Sequence, residues 1–324
     1  MSPGASSRCL VTGCAGFVGS HLAERLLADG HAVTGVDCFT DYYARERKER
    51  NLAGLRTHRG FTLVEADLAD ADLPPLLEGV DRVFHEAGQP GVRASWGRTF
   101  DGYCRHNILG TQRLLEAARE SSLRRFVYAS SSSVYGDAPQ LPARETTLPR
   151  PVSPYGVTKL AAEHLCGLYA SNFGVPTVSL RYFTVYGPRQ RPDMAFSRFV
   201  RALLDGDEIR LNGDGEQTRD FTFVSDIVAA NVAASEAPLA SFGRVYNVGG
   251  GSRVTVNHVI GLLEDIVGVR GRIRTLPQPP GDARHTWADC TPVRDELGFS
   301  PRYSLEEGLR EQVAWARDDL RRSG

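Results

Sequence analysis

The feature that most constrains this chain is Gly13-Cys-Ala-Gly16-Phe17-Val18-Gly19, wedged between an apolar run, Cys9-Leu-Val-Thr12, and an amphipathic one, Phe17 to Asp29. The apolar run reads as a buried strand. The following stretch places Val18, Leu22, Leu26 and Leu27 on one helical face and stops at Gly30. Strand, glycine turn and helix together bring backbone N–H groups and a helix N-terminus to one point, which suits a pyrophosphate. Side chains at Gly13 and Gly16 would block the phosphates, and Gly19 allows the helix to pack on the strand. Asp37 ends the next strand candidate, Ala32–Asp37. A carboxylate there accepts hydrogen bonds from the adenosine ribose and repels a 2′-phosphate, so NAD is expected over NADP. Asp67 and Leu68, after a third strand at Phe61–Glu65, are candidates to meet the adenine.

Further strand candidates fall at Arg82–Glu86, Arg125–Ser130, Thr177–Phe183 and Val245–Val248. Helical patterns at Tyr103–Glu120 and Tyr155–Phe173 lie between them, and the charged stretch Asp41–Asn51 reads as a helix or a loop. Strands alternating with amphipathic helices predict an α/β chain, a Rossmann-type doubly wound parallel sheet. After Gly187 the texture shifts to Arg, Gly and Asp, with helices expected at Phe196–Leu204, Val256–Val267 and from Leu305. The expected division is an NAD-binding unit at 1–184 and 222–251, and a smaller discontinuous C-terminal substrate unit at 185–221 and 252–324.

A second constellation carries chemistry. Tyr155 and Lys159 stand at i and i+4, on one face of a helix that starts at Pro154. A neighbouring ammonium favours the phenolate, and a phenolate beside a hydride acceptor can take the proton of a sugar hydroxyl. The run Ser130-Ser131-Ser132-Ser133 directly follows an apolar strand, and the carboxyl ends of strands are where open α/β sheets bind ligands.

The set GCAGFVG, SSSSVYG, YGVTK, RYFTVYGP and RDFTFVSDI resembles the extended short-chain dehydrogenases, specifically the nucleotide-sugar epimerases and dehydratases, from about residue 8 to beyond 290. The resemblance implies Ser131, Tyr155 and Lys159 as catalytic triad and Asn107 as a buttress. It also implies that Ala87 and Gly88 belong to a cofactor-contacting strand end and that Tyr182 meets the cofactor. Dehydratases of the family carry Asp-Glu after the catalytic Ser or Thr. Here Ser132 and Ser133 stand there, so dehydration is disfavoured.

The Thr184 version of the next motif, followed by Arg191-Pro-Asp-Met194, resembles the UDP-glucuronate 4-epimerases, with Arg191 matching the arginine that recognises the sugar carboxylate. The implied substrate contacts are Ser132, Ser133, Thr184, Arg191, Met194, Asn212 toward uracil, Arg219 on the diphosphate, and Asp282. Galactose epimerases often carry an arginine where Pro279 stands, which leaves Arg284 or His285 as the second diphosphate contact. The expected reaction is C4 epimerisation of a UDP-hexose, UDP-glucuronate first. UDP-glucose/UDP-galactose epimerisation, dual specificity and UDP-glucuronate decarboxylation are the alternatives. A binding protein without chemistry should lack part of the triad, and this chain has all of it.

The net charge of −1 excludes a global field for nucleic acid. The six cysteines are scattered without CxxC pairs, so neither a disulfide framework nor a metal site is expected. No apolar run suits a membrane span, and the opening residues lack the regions of a secretory leader, so a cytoplasmic protein is expected. The family's usual homodimer would pair the helices Tyr103–Glu120 and Tyr155–Phe173, with Leu114, Leu115, Leu160, Leu165 and Leu168 supplying apolar surface.

Overall fold

Strand β1 (Arg8–Thr12) carries four consecutive buried residues, and a strand covered on both faces needs neighbours on both edges. In the computed structural model, which describes residues 6–323, those neighbours are parallel strands of a seven-stranded sheet. The chain runs through α1 (Phe17–Ala28), β2 (Ala32–Asp37), α2 (Arg45–Arg56), β3 (Phe61–Glu65), α3 (Pro74–Leu77) and β4 (Arg82–His85). It continues through α4 (Phe100–Tyr103), a π-helical turn (Cys104–Leu109), α5 (Gly110–Arg119), β5 (Arg125–Ser131), α6 (Pro154–Phe173) and β6 (Thr177–Tyr182). After β7 (Val185–Tyr186) come α7 (Ala195–Asp205), β8 (Glu208–Asn212), β9 (Thr218–Asp220), β10 (Thr222–Phe223), α8 (Val224–Glu236) and β11 (Arg244–Val248). The chain closes with β12 (Arg253–Thr255), α9 (Val256–Val267), β13 (Arg272–Leu276), α10 (Thr291–Leu297) and α11 (Leu305–Ser323).

The order of the large sheet is β11-β6-β5-β4-β1-β2-β3. From β1 the chain winds first through β2 to β3, then returns to β4 on the other side. The crevice between β1 and β4 is therefore the topological switch point, where doubly wound sheets bind ligands. Register sets Thr12 opposite His85 there, so the Gly13 turn and the Glu86–Gly88 segment leave the sheet side by side.

One core packs α1 and α8 on the sheet and includes Leu22 and Leu26, both fully buried. Burial of each such leucine contributes about 2 kcal/mol. A second core joins α5 and α6 to the opposite face. A third gathers α7, α9 and α11 around β8, away from the large sheet. Strand β13 pairs β8 in parallel, and β12 pairs β9 antiparallel.

Three local expectations change. The charged stretch is helical from Arg45, since α2 buries only Lys48, Asn51, Leu52 and Leu55 and leaves its other charges outside. The helix expected over Tyr103–Glu120 starts earlier and is interrupted by the π turn, which widens the spiral at Asn107. Leu114 and Leu115 are fully buried in the α5–α6 core, so they offer no surface to a second chain. Among the described residues, no helix is long and apolar enough to cross a membrane.

Candidate active site

The glycine turn builds a narrow saddle between two backbones. Gly13 has φ 69°, and a Cβ there would stand 2.8 Å from the backbone nitrogen of Ala87. The strand end itself thus demands glycine, before any ligand is considered. At Gly19 a Cβ would fall 2.2 Å from the Gly13 carbonyl oxygen, so α1 sits directly on the turn. Gly16 differs: its nearest contact would be 3.1 Å, and the space beyond belongs to the cleft.

That cleft holds about 390 Å³ and is lined by Gly13, Gly16, Phe17, Val18, Gly19, Asp37, Asp67, Leu68, Ala87 and Gly88. Asp37 is fixed by the backbone N–H of Ala15 at 3.1 Å and of Phe39 at 2.8 Å. Asp67 accepts from Ala69 N–H at 2.9 Å and from Arg105 at 3.0 Å. The cradle fits a dinucleotide: a backbone-lined saddle, an open helix N-terminus, and an acid at the second strand end. Lys48, which the motif reading passed over, is buried 3.7 Å from Asp37 and donates to the Thr40 carbonyl at 3.1 Å.

The same cleft continues to Ser131, Tyr155, Lys159 and Tyr182. Helix α6 delivers Tyr155 because Ser153 caps it, accepting Gly156 N–H at 3.1 Å, and Pro154 pre-sets the first turn. Lys159 Nζ donates to the Ala129 carbonyl at 2.9 Å, and burial pushes its pKa down to about 8, against the opposing pull of Glu86. The phenol of Tyr155 departs from the sequence expectation. Burial holds its pKa above the ordinary value, while the Ser131 hydroxyl and the Arg191 charge pull the other way. Its ring meets Tyr103 edge to face at 6.3 Å.

The serines divide by strand alternation. Ser130 Oγ turns inward and donates to Glu163 at 2.7 Å, while Ser131 Oγ accepts the N–H of Ser133 at 3.1 Å. Glu163 is clamped by Arg181, with Nε at 2.9 Å and the second fork at 2.5 Å, and Arg181 donates to Tyr135 at 2.6 Å. This buried ion pair ties β6 to α6 directly beneath the reactive strand end.

Asn107 does not line the cleft; it is buried behind it. Its carboxamide accepts Gln89 N–H at 2.6 Å and donates to the Gln89 carbonyl and to Thr158. The π turn aims it at the segment after Gly88, where it acts as a brace. His85 links the same parts from below, with ring nitrogens 2.7 Å from Thr12 Oγ and 2.8 Å from Thr111 Oγ.

Arg191, Met194 and Thr184 line the same cleft as Tyr155. The Arg191 guanidinium forks onto Asp193 at 3.0 Å through both Nε and Nη2. A smaller compartment of about 140 Å³ adjoins, lined by Ser132, Ser133, Thr184, Arg219 and Asp282. Arg219 donates to the carbonyls of Thr218 and Arg284, both at 2.9 Å, and has no carboxylate partner among the described residues. Asn212 and Asp282 meet through Arg93, the last residue of a loop, Gly88 to Arg93, that the sequence offers only as a candidate for setting the choice between sugars. Its guanidinium reaches Asp282 at 2.8 Å and, with the Asn212 carboxamide oxygen turned toward it, Asn212 at 2.6 Å. Arg284 instead pairs with Asp214, and the His285 ring engages Thr218. The arginine paired with the Asp282 of this compartment thus arrives from the loop after β4. The Gly88-Gln-Pro-Gly-Val-Arg93 segment carried that signal without a partner to interpret it.

The family model of the NAD dependent epimerase/dehydratase family matches residues 9–249. An uncharacterised UDP-glucose epimerase of Bacillus subtilis is 46% identical over 309 residues, covering 95% of this chain and 97% of its own length. The crystal structure of a UDP-glucuronic acid 4-epimerase from Bacillus cereus, in complex with UDP-glucuronic acid and NAD, superposes with a TM-score of 0.93 at 43% identity, over 96% of this chain and 99% of that one. MoeE5 has been solved with UDP-glucose and NAD, at TM-score 0.87 and 42% identity, over 97% of this chain and 99% of that one. The chain belongs to the NAD-dependent epimerase/dehydratase family.

Proposed function

We propose that this chain is an NAD-dependent UDP-sugar 4-epimerase whose preferred substrate is UDP-glucuronate, converted to UDP-galacturonate. The observation that carries the substrate reading is Arg191: it lines the cleft that holds Tyr155 and acts on that phenol as a nearby positive charge. Asp193 takes its Nε and one edge of Nη2, which fixes the guanidinium plane and leaves Nη1 for a sugar carboxylate.

The saddle of Gly13, Gly16 and Gly19 would hold the pyrophosphate, Asp37 and Lys48 the adenosine ribose, and Ala87, Gly88 and Tyr182 the opposite end. NAD, when bound, supplies a reversible acceptor for the hydrogen on sugar C4. Tyr155 takes the C4 hydroxyl proton, Ser131 hydrogen-bonds the same oxygen, and Lys159 supplies the charge that favours the phenolate. Residues 185–221 and 252–323 would grip UDP, with Arg219 on the diphosphate and Asn212 near the base, joined at the diphosphate by Arg93 from the NAD-binding part. With UDP anchored, the 4-keto sugar turns about its diphosphate linkage, presents its other face and recovers the proton from Tyr155. A 4-keto uronate is a β-keto acid able to lose CO2, and Arg191 holds its carboxylate against that loss.

Asp193 gives a second reading its footing. Because Asp193 already balances Arg191, a neutral hexose leaves no bare cation in the cleft, and UDP-glucose epimerisation is compatible with the site. MoeE5 has been solved with UDP-glucuronic acid as well as with UDP-glucose. A homodimer, if formed, would use Val157, Leu168 and Phe173, which α6 leaves exposed.

Incubation with UDP-glucuronate and, separately, UDP-glucose, followed by proton NMR, tests the assignment. UDP-galacturonate without CO2 is the expected product, and Arg191→Ala should impair glucuronate turnover far more than glucose turnover. Equal losses on both sugars, or a UDP-pentose product, would overturn the uronate epimerase reading.

A further inference from the structure

The proposed reaction leaves one carboxyl group of the cleft unused. Asp37, Asp67 and Glu86 all line it, but the first two stand beyond β2 and β3, on the adenosine side of the Gly13 turn. Glu86 directly follows β4, one strand from Ser131, in the half of the cleft that holds Tyr155 and Lys159.

Its surroundings hold it in place. Tyr182 Oη donates to Glu86 Oε1 at 2.8 Å, and Asn231 Nδ2 from α8 donates to that Tyr182 oxygen at 2.6 Å. Since Tyr182 Oη accepts from Asn231, its one hydrogen is free to point at the carboxyl. Oε2 receives no hydrogen bond from any described residue. On the α6 side, Lys159 Nζ lies 3.3 Å from where a Gly88 Cβ would stand, two residues along the same segment.

A carboxylate at this place acts on charge. The nicotinamide ring carries a positive charge when oxidised and none after reduction, which adds a hydride, an electron pair together with one proton. Hydrogen transfer from a sugar held by Tyr155 requires the ring in this half of the cleft. We propose that Glu86 is an electrostatic determinant of the bound dinucleotide's redox balance, its carboxylate favouring the oxidised ring while Tyr182 and Asn231 hold it in position. The inference rests on the dinucleotide reading of the cleft.

The titration behaviour agrees with this geometry. Burial raises the Glu86 pKa to about 7, opposed by the Tyr182 hydrogen bond and by Lys159. The charged and titratable groups that act on it are Lys159 from α6, Tyr182 from β6 and Tyr128 from β5, and His85 precedes it in β4. Burial pushes His85 down to about 3, so it stays neutral through the range that matters. Lys159 titrates near 8, and losing its ammonium would also favour the oxidised ring. E86Q, which removes the carboxyl and keeps Lys159, therefore separates the two groups.

The experiment measures dissociation constants of NAD+ and NADH by calorimetry for the nucleotide-stripped full chain, E86Q and E86L, at pH 5.5 and 7.5. In the wild type, the preference for NAD+ over NADH should strengthen about tenfold as the carboxyl ionises, the size expected from one nearby charge in a partly buried site. E86Q keeps an acceptor for Tyr182 and should hold one ratio at both pH values, near the wild-type value at pH 5.5. E86L should show the same flat ratio, with weaker binding of both forms. A wild-type pH dependence persisting in E86Q overturns the proposal. So does an equal loss of NAD+ and NADH affinity in E86Q with a lowered melting temperature, which would assign Glu86 to folding alone. Failure of the wild type to bind either nucleotide would overturn the dinucleotide reading itself.

Discussion

Two alanines in the glycine turn should fail in different ways. At Gly19 the new methyl would stand 2.2 Å from the Gly13 carbonyl oxygen and 2.8 Å from its carbonyl carbon. Both are backbone atoms pinned between β1 and β4, so α1 must retreat by roughly 1 Å to reach ordinary contact. Overpacking of this kind costs about 1–3 kcal/mol, and more where the neighbour is rigid. At Gly16 the backbone is extended, with φ −77° and ψ −178°, a conformation open to any residue. Its methyl meets only the Gly13 oxygen, at 3.1 Å, and otherwise projects into the cleft.

Gly19→Ala should therefore lower the melting temperature without nucleotide, while Gly16→Ala should melt close to the wild type. Saturating NAD at a hundred times its dissociation constant stabilises a binding protein by about 2.7 kcal/mol. That increment should vanish in Gly16→Ala, because the methyl occupies the path of the pyrophosphate. Thermal melts with and without NAD read both effects. A Gly16→Ala protein with the full NAD-dependent shift would refute the placement of the phosphates, and an unperturbed Gly19→Ala melt would refute the close seating of α1.

Arg93→Ala should raise the KM for a UDP-sugar about tenfold or more, with NAD affinity unchanged, as expected for one charge-assisted phosphate contact; an unaltered KM returns the second diphosphate contact to Arg284 or His285. Glu163→Ala should cost about 3–5 kcal/mol in urea unfolding, because it leaves Arg181 buried without its partner. A cost below about 1 kcal/mol would show that water or Tyr135 satisfies the guanidinium. Ser153→Ala should cost about 1 kcal/mol through the lost cap of α6, and an unchanged unfolding midpoint would show that Pro154 alone sets this helix start.

What the sequence disclosed, and what it withheld, follows from the range of the interactions. Buried parallel strands appear as apolar runs, and the glycine turn announces itself because its spacing is local. The core triad was legible for the same reason: Tyr155 and Lys159 share a helix face, and Ser131 ends an apolar strand. Arg93 was not legible, because its meaning lies in Asp282 and Asn212, each more than a hundred residues away in sequence. The π turn was equally hidden. Cys104–Leu109 has ordinary helical periodicity, and only the need to aim Asn107 at Gln89 and Thr158 shows why the spiral widens. The pKa shift of Tyr155 was expected with the opposite sign, since the i,i+4 pairing reveals a neighbouring lysine but not the burial that outweighs the Ser131 hydrogen bond and the Arg191 charge.

The cations of the substrate end share one design. The chain as a whole is nearly neutral, at −1, so attraction for an anionic substrate has to be local. Arg191 is balanced by Asp193 and Arg93 by Asp282, while Arg219 rests on two carbonyls without a carboxylate in salt-bridge range among the described residues; burial lowers its pKa, against the more distant Asp282 and Asp137. On the proposed assignment, an arriving diphosphate would find in Arg219 the one guanidinium of the three that no directly paired carboxylate holds. It then competes with Asp282 for Arg93, and a uronate carboxylate competes with Asp193 for part of Arg191. The carboxylates hold the two outer forks in planes ready for exchange, so little side-chain entropy is lost on binding. They also weaken the attraction by the energy of the ion pairs given up. That balance would, on the proposed assignment, let one cleft hold a charged uronate and still tolerate a neutral hexose. It also places the discrimination in Asp193: Asp193→Asn would free the charge of Arg191 and move the ratio of kcat/KM toward UDP-glucuronate. A ratio that moved toward UDP-glucose would mean that Asp193 serves to orient Arg191 and that its charge plays no part in the choice.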